Sequence, residues 1–181
     1  MKIKNDKLKV YEFLFKRIDF NPKELEEYMH LKRMDVLEAE FHEYLKKINK
    51  TNIELYWHLT LPIHNKKEVI EIMIVTAYSI HLFKILDLTG GYEINPFNIL
   101  LKNDEPVLDL NIKDAYYAAM KDTIIEEEGF IKPIFFNYVV LDDTFSVSGY
   151  TNVPFLTRRT LTTYLNKIEA TSFRKKHKAP F

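Results

Sequence analysis

None of the 181 residues is cysteine, 26 are Lys or Arg, 26 are Asp or Glu, and 14% are aromatic. The first fact excludes disulfides, thiol nucleophiles and thiolate metal sites, and the aromatic content marks a globular chain of one domain's size. Charge is balanced in sum but segregated: residues 1–17 carry a net +4 and residues 157–181 a net +6, so the middle is acidic. Such asymmetry suits contact with a polyanion, with another protein or with a second copy of the chain.

In chain order, Lys7 to Ile18 reads as a first helix with Val10, Phe13, Leu14 and Ile18 on its inner face. Asn21-Pro22 is a helix start, Asn as N-cap and Pro at the first helical position. A second helix is expected to run from Pro22 to about His30. A third, from about Arg33 to Ile48, turns Val36, Leu37, Phe41, Tyr44, Leu45 and Ile48 inward. Ile53 to Leu61 alternates apolar and polar, the pattern of a half-buried strand.

Glu68 to Leu88 is the longest apolar stretch free of Gly and Pro. Its length predicts a buried central helix, with a strand as the competing reading for Ile70 to Thr76. Glu71, His81 and Lys84 interrupt it too often for a membrane span. Two short apolar runs, Ile99 to Leu101 and Val107 to Leu110, predict a hairpin. A helix capped by Asn111 follows, to Glu128 and Gly129, with Asp114 in the capping-box position. Phe130 to Leu141 is expected as an edge or bulged strand because of Pro133. Asp142-Asp143 is expected to turn it into a second hairpin with Thr144 to Tyr150. Thr157 caps the last helix, whose inner face is Leu161, Tyr164, Leu165 and Ile168. The predicted class is α+β, with a helical subdomain over 1–52 and an α+β part over 53–181, together forming one compact unit.

Only four glycines occur, Gly90, Gly91, Gly129 and Gly149, so glycine-rich phosphate loops are absent and no cofactor is expected. Glu24 to Leu45 resembles a helix-turn-helix in its apolar spacing, Leu25, Tyr28 and Leu31 bracing Val36, Leu37 and Phe41. Its second helix, however, carries Asp35, Glu38, Glu40 and Glu43, the wrong sign for DNA. Glu38 and His42 share a helix face but make only one pair, and a metal site needs three or four ligands. His81 reads as a hydrogen-bonded core histidine. Asp109, Asn111 and Lys113 are similar to the acidic-x-Lys arrangement of metal-dependent nucleases, with Asn111 in place of the second carboxylate. Glu93 to Asp109 resembles the catalytic loop of protein kinases, which would make Asn98 and Asp109 metal ligands and put Glu93 at the catalytic aspartate position, without the His-Arg pair or Phe-Gly.

No Ser/His/Asp set, carboxylate pair or glycine loop stands out, so no catalytic or metal residue is expected. The expected function is a non-catalytic protein-protein interaction or assembly subunit, partnered by another protein or by copies of itself. Nucleic acid is the second choice of partner, a kinase-like scaffold a further alternative, and a membrane is not expected. Arg158, Arg159, Arg174, Lys175, Lys176, Lys178 and Phe181 are the candidate partner-binding residues. The N-terminus has no apolar signal core, which places the chain in the cytoplasm. Its Lys, Asn and Ile content fits an AT-rich source such as a phage or other mobile element.

Overall fold

The computed structural model describes residues 6–15, 17–48, 52–63, 66–128 and 132–174, with the side chains of 66, 121–128 and 172–174 excepted. The chain divides into two compact units, Met1–Lys47 and Ile48–Phe181.

In the first unit, α1 (Asp6–Leu14) meets α2 (Pro22–Lys46). The start of α2 is a full capping box. Asn21 Oδ1 accepts the Glu24 N–H at 3.0 Å, and the Glu24 carboxylate accepts the Asn21 N–H at 3.0 Å. The expected break near His30 is absent: α2 is one helix of 25 residues. After Pro22, no Gly or Pro interrupts the stretch, so nothing stops the ladder from propagating. The inner face of α1 also differs from expectation, since Val10, Phe13 and Ile18 are about half exposed. Aromatic side chains decide the rotation: Tyr11, Phe15, Phe20 and Tyr28 form one cluster, with Phe15 stacked on Tyr28 at 4.9 Å. The Tyr11 hydroxyl donates to Glu27 at 2.6 Å, and Lys7 pairs with the same carboxylate.

The second unit is mixed α+β. Its larger sheet takes the order β1 (Ile53–Ile63), β2 (Lys66–Thr76), β3 (Ile80–Ile85), β7 (Ile134–Val140), β9 (Phe155–Thr157). The first three strands are antiparallel neighbours, and β7 runs parallel to both β3 and β9. The smaller sheet has the order β6 (Glu105–Asp109), β5 (Ile99–Lys102), β4 (Gly91–Ile94), β8 (Ser146–Ser148), with β4 and β8 parallel.

Glu68 to Leu88 is therefore not a helix but β2, a turn and β3, and the competing strand reading of Ile70 to Thr76 is the observed one. Thr76 makes the turn: its Oγ1 accepts the N–H groups of Tyr78 and Ser79 at 3.1 and 3.0 Å, and its N–H donates to the Ser79 carbonyl at 2.9 Å. The stretch looked apolar all round because both faces of the sheet are covered. Leu82 and Phe136 lie side by side on one face, where Tyr116 of α3 (Ile112–Glu128) stacks on Phe136 at 4.9 Å. On the opposite face His81 stacks on Phe135 at 5.0 Å, and Tyr164 of α4 (Arg158–Arg174) meets the His81 and Phe83 rings edge-on. Tyr92, Ile94 and Leu100 of the smaller sheet join Leu82, Tyr116 and Phe136 in one core.

Three further expectations change. β7 is an inner strand and not an edge, because Pro133 sits ahead of it and only its carbonyl is used, accepting the Ile80 N–H at 2.9 Å. With both sides of β7 occupied, the chain after Asp142 cannot fold back as a hairpin. It leaves instead to pair Ser146–Ser148 with β4. Finally, the Asn111 side chain does not cap α3. Its Nδ2 donates to Asp109 Oδ1 and to the Phe97 carbonyl, and only its backbone oxygen receives the Asp114 N–H. The β5–β6 hairpin forms as expected, over Asn103 and Asp104 at φ 52° and 66°, the left-handed pair a two-residue turn requires.

Candidate functional site

Three polar constellations stand out among the described residues of the second unit. The first is half-buried beside α3. Lys84 projects from β3 so that Nζ reaches Glu68 at 3.4 Å, the Val69 carbonyl at 3.1 Å and the Tyr116 hydroxyl at 3.3 Å, while that hydroxyl donates to Glu68 at 3.2 Å. Burial, then the Glu68 carboxylate, raises the Tyr116 pKa well above the ordinary phenol range, so it stays a donor. Glu71, buried beside this group on β2, accepts the Ile85 N–H at 3.0 Å. Lys84 and Glu68 compensate one another, leaving an ammonium, not a cation site, between carboxylate and phenol.

The second lies under α4. Both ring nitrogens of His81 are bonded, Nε2 with Ser79 Oγ at 2.9 Å and Nδ1 with Tyr164 OH at 3.0 Å. Burial lowers the His81 pKa from 6.5 to about 4, so the ring is neutral at pH 7. A hydroxyl beside a neutral imidazole is half of a nucleophile. The nearest backbone donors, the N–H groups of Tyr78 and Ser79, are already taken by Thr76 Oγ1, so they cannot steady a developing oxyanion.

The third is an open trough on the outer face of the smaller sheet. One half, about 460 Å³, is lined by Gly91, Glu93, Asn103, Asp104, Ser146 and Ser148 among others. The other, about 630 Å³, includes Glu93 again with Asn95, Asn98, Asn111, Tyr150 and Asn152. Alternation along β4 puts Tyr92 and Ile94 into the core and Gly91 and Glu93 outward. Gly149 fixes the rim. At φ +91° it holds a conformation side chains rarely adopt, and an added Cβ would lie 2.6 Å from the Ile94 carbonyl oxygen. Gly149→Ala is expected to destabilise the fold by about 2 kcal/mol, read as a lower thermal midpoint. An unchanged midpoint would show that this loop can shift freely.

The residues singled out in the sequence are dispersed. Arg158 is held by Asp143 at 2.8 Å, Arg159 is exposed on the first turn of α4, and the side chain of Arg174 and the whole of Lys175, Lys176, Lys178 and Phe181 lie outside the described residues. Asp109 is a turn residue, its Oδ1 accepting the Asn111 N–H at 2.9 Å. Glu93 and Asn98 border the trough, whereas Glu38 and His42 sit on α2 in the other unit. No three His, Asp or Glu side chains among the described residues converge as a metal site, and no described helix is long and apolar enough to cross a membrane. Sequence reasoning missed Glu71, Lys84 and Tyr116, whose signal was two charges inside an apolar run, and the trough, which has no local signal. Comparison with protein-family models, curated proteins and solved structures found no match.

Proposed function

We propose that the chain is a non-catalytic assembly subunit that docks with further copies of itself through the outer edge of β8. The observation that supports this reading most is the place of β8 at the end of its sheet, with no strand paired on its far side among the described residues. The Ser146 N–H donates inward to the Gly90 carbonyl. Hydrogen-bonding direction alternates along a strand, so the Val147 N–H and carbonyl face outward and can accept a strand from a neighbour. The segregated charge fits such contacts, the basic residues Arg159, Arg174, Lys175, Lys176 and Lys178 being drawn to the acidic middle of another copy.

Light-scattering mass after chromatography tests it, at low salt and at about 1 M salt, where exposed charge pairs are screened. The wild-type chain is expected to run as an oligomer at both. Val147→Pro removes an outward N–H and some packing of the Val147 side chain on the core, leaves the bonds to β4, and is expected to run as a folded monomer. A monomeric wild type, or a variant that still assembles, overturns the proposal. The same runs with a mixed DNA duplex test the second choice of partner, since a phosphate binder would shift onto the duplex at low salt alone.

A further inference from the structure

We propose that the trough along β4 and β8 binds a neutral, polyhydroxylated ligand of the saccharide class. This is independent of the assembly through the β8 edge, because it uses the sheet's outer face and not its main-chain rim.

The argument begins with what lines the trough. Among the described residues no Lys or Arg does, so none of them is there to neutralise a phosphate or a nucleic acid. The floor is mixed: Gly91, Ser146 and Ser148 make one part flat, small and hydroxylated, beside apolar Leu101 in the first half and Ile94 and Pro96 in the second. With these stand amides, hydroxyls, the carboxylates of Glu93 and Asp104, and one open aromatic face. That mixture matches a ring that presents hydroxyls at its edge and C–H groups on its face.

The amides are also held in place. Asn95 Oδ1 accepts the N–H groups of Phe97 and Ile99, each at 3.0 Å, and Asn98 Nδ2 donates to Asn111 Oδ1 at 3.1 Å. The Asn111 amide is oriented in turn by the Phe97 carbonyl and Asp109. These bonds consume one end of each amide and leave Asn95 Nδ2 as a donor and Asn98 Oδ1 as an acceptor. Asn98 pays for its position with φ +61°, a left-handed conformation kept by its neighbours. Glu93 stands where the two halves of the trough meet and can accept from adjacent hydroxyls. Tyr150 supplies the stacking face, on a loop that Gly149 pins against Ile94. With its amides held before the ligand arrives, ordering on binding falls chiefly on the exposed Tyr150 ring.

Calorimetric titration and saturation-transfer NMR of the full chain with maltotetraose, cellotetraose and triacetylchitotriose test the proposal, with tetralysine as the competing probe. At least one saccharide is expected to bind with Kd on the order of 1 mM or tighter. Tyr150→Ala is expected to weaken that binding about ten-fold, Tyr150→Phe to keep it within about two-fold, and Asn152→Ala to fall between. Because Tyr150 is exposed, these variants keep the fold, and their mass in solution reports separately on assembly. Binding of none of the three saccharides at about 10 mM, indifference to Tyr150→Ala, or saturation by tetralysine in their place overturns it.

Discussion

Tyr116→Ala is expected to lower the unfolding free energy by about 4 kcal/mol, the largest effect of any single change considered. The side chain is wholly buried, stacked on Phe136, and its removal leaves a ring-sized void between α3 and the larger sheet. It also strips the Glu68–Lys84 pair of the hydroxyl that bonds both partners. Tyr116→Phe separates the two contributions, keeping the ring and losing only the hydroxyl. Its cost is expected at about 1 kcal/mol, because Glu68 and Lys84 retain partial access to water and to each other. Urea midpoints at constant slope measure both. If the two variants lose the same amount, packing against Phe136 is not what holds α3 down.

The second large effect is a loss of stability in mild acid. Burial lowers the folded pKa of His81 to about 4 against 6.5 in the unfolded chain. Protonation therefore favours the unfolded state: the stability from the neutral ring is complete above pH 6.5 and is lost as pH falls toward 4. The slope is about 1.4 kcal/mol per pH unit, for a total near 3 kcal/mol. The groups in contact with the ring are Ser79, Tyr164 and the Phe135 face, none of which is a carboxylate that could compensate the charge. Chemical denaturation at pH 7, 5.5 and 4.5 on the wild type and on His81→Gln measures it. The difference between the two should shrink as pH falls. A constant difference would mean the imidazole accepts its proton while folded.

How far these features could be read from sequence depended on whether one face of an element stays wet. β1 was legible because Glu54, Tyr56, His58 and Thr60 alternate with apolar residues, and the β5–β6 hairpin because Asn103 and Asp104 suit a left-handed turn. The β2–β3 pair was not, since Ile70 through Ile74 are all at most 9% exposed and alternation has nothing to mark. There β-branching was the better guide than length, and the hydroxyl of Thr76 took the place of a glycine or proline in the turn. In the candidate sites, Glu71 and Lys84 become meaningful only in register, when β2 and β3 lie side by side. Tyr150, Asn152 and Glu93 are joined by the parallel pairing of β4 with β8, which no local pattern announces.

That β3 pairs with β7, Ile80 against Ile134, also shapes how the chain acquires its fold. As residues emerge from the ribosome in order, the β1–β2–β3 meander can form from neighbouring segments alone. It then waits with the far side of β3 uncovered while α3 is made. Ile80, His81, Leu82 and Phe83 present an unpaired, largely apolar strand during that interval. Such non-local closure slows folding and invites pairing with the wrong chain. Glu71 and Lys84, the charges set between Val69 and Leu86, stand as gatekeepers across that interval.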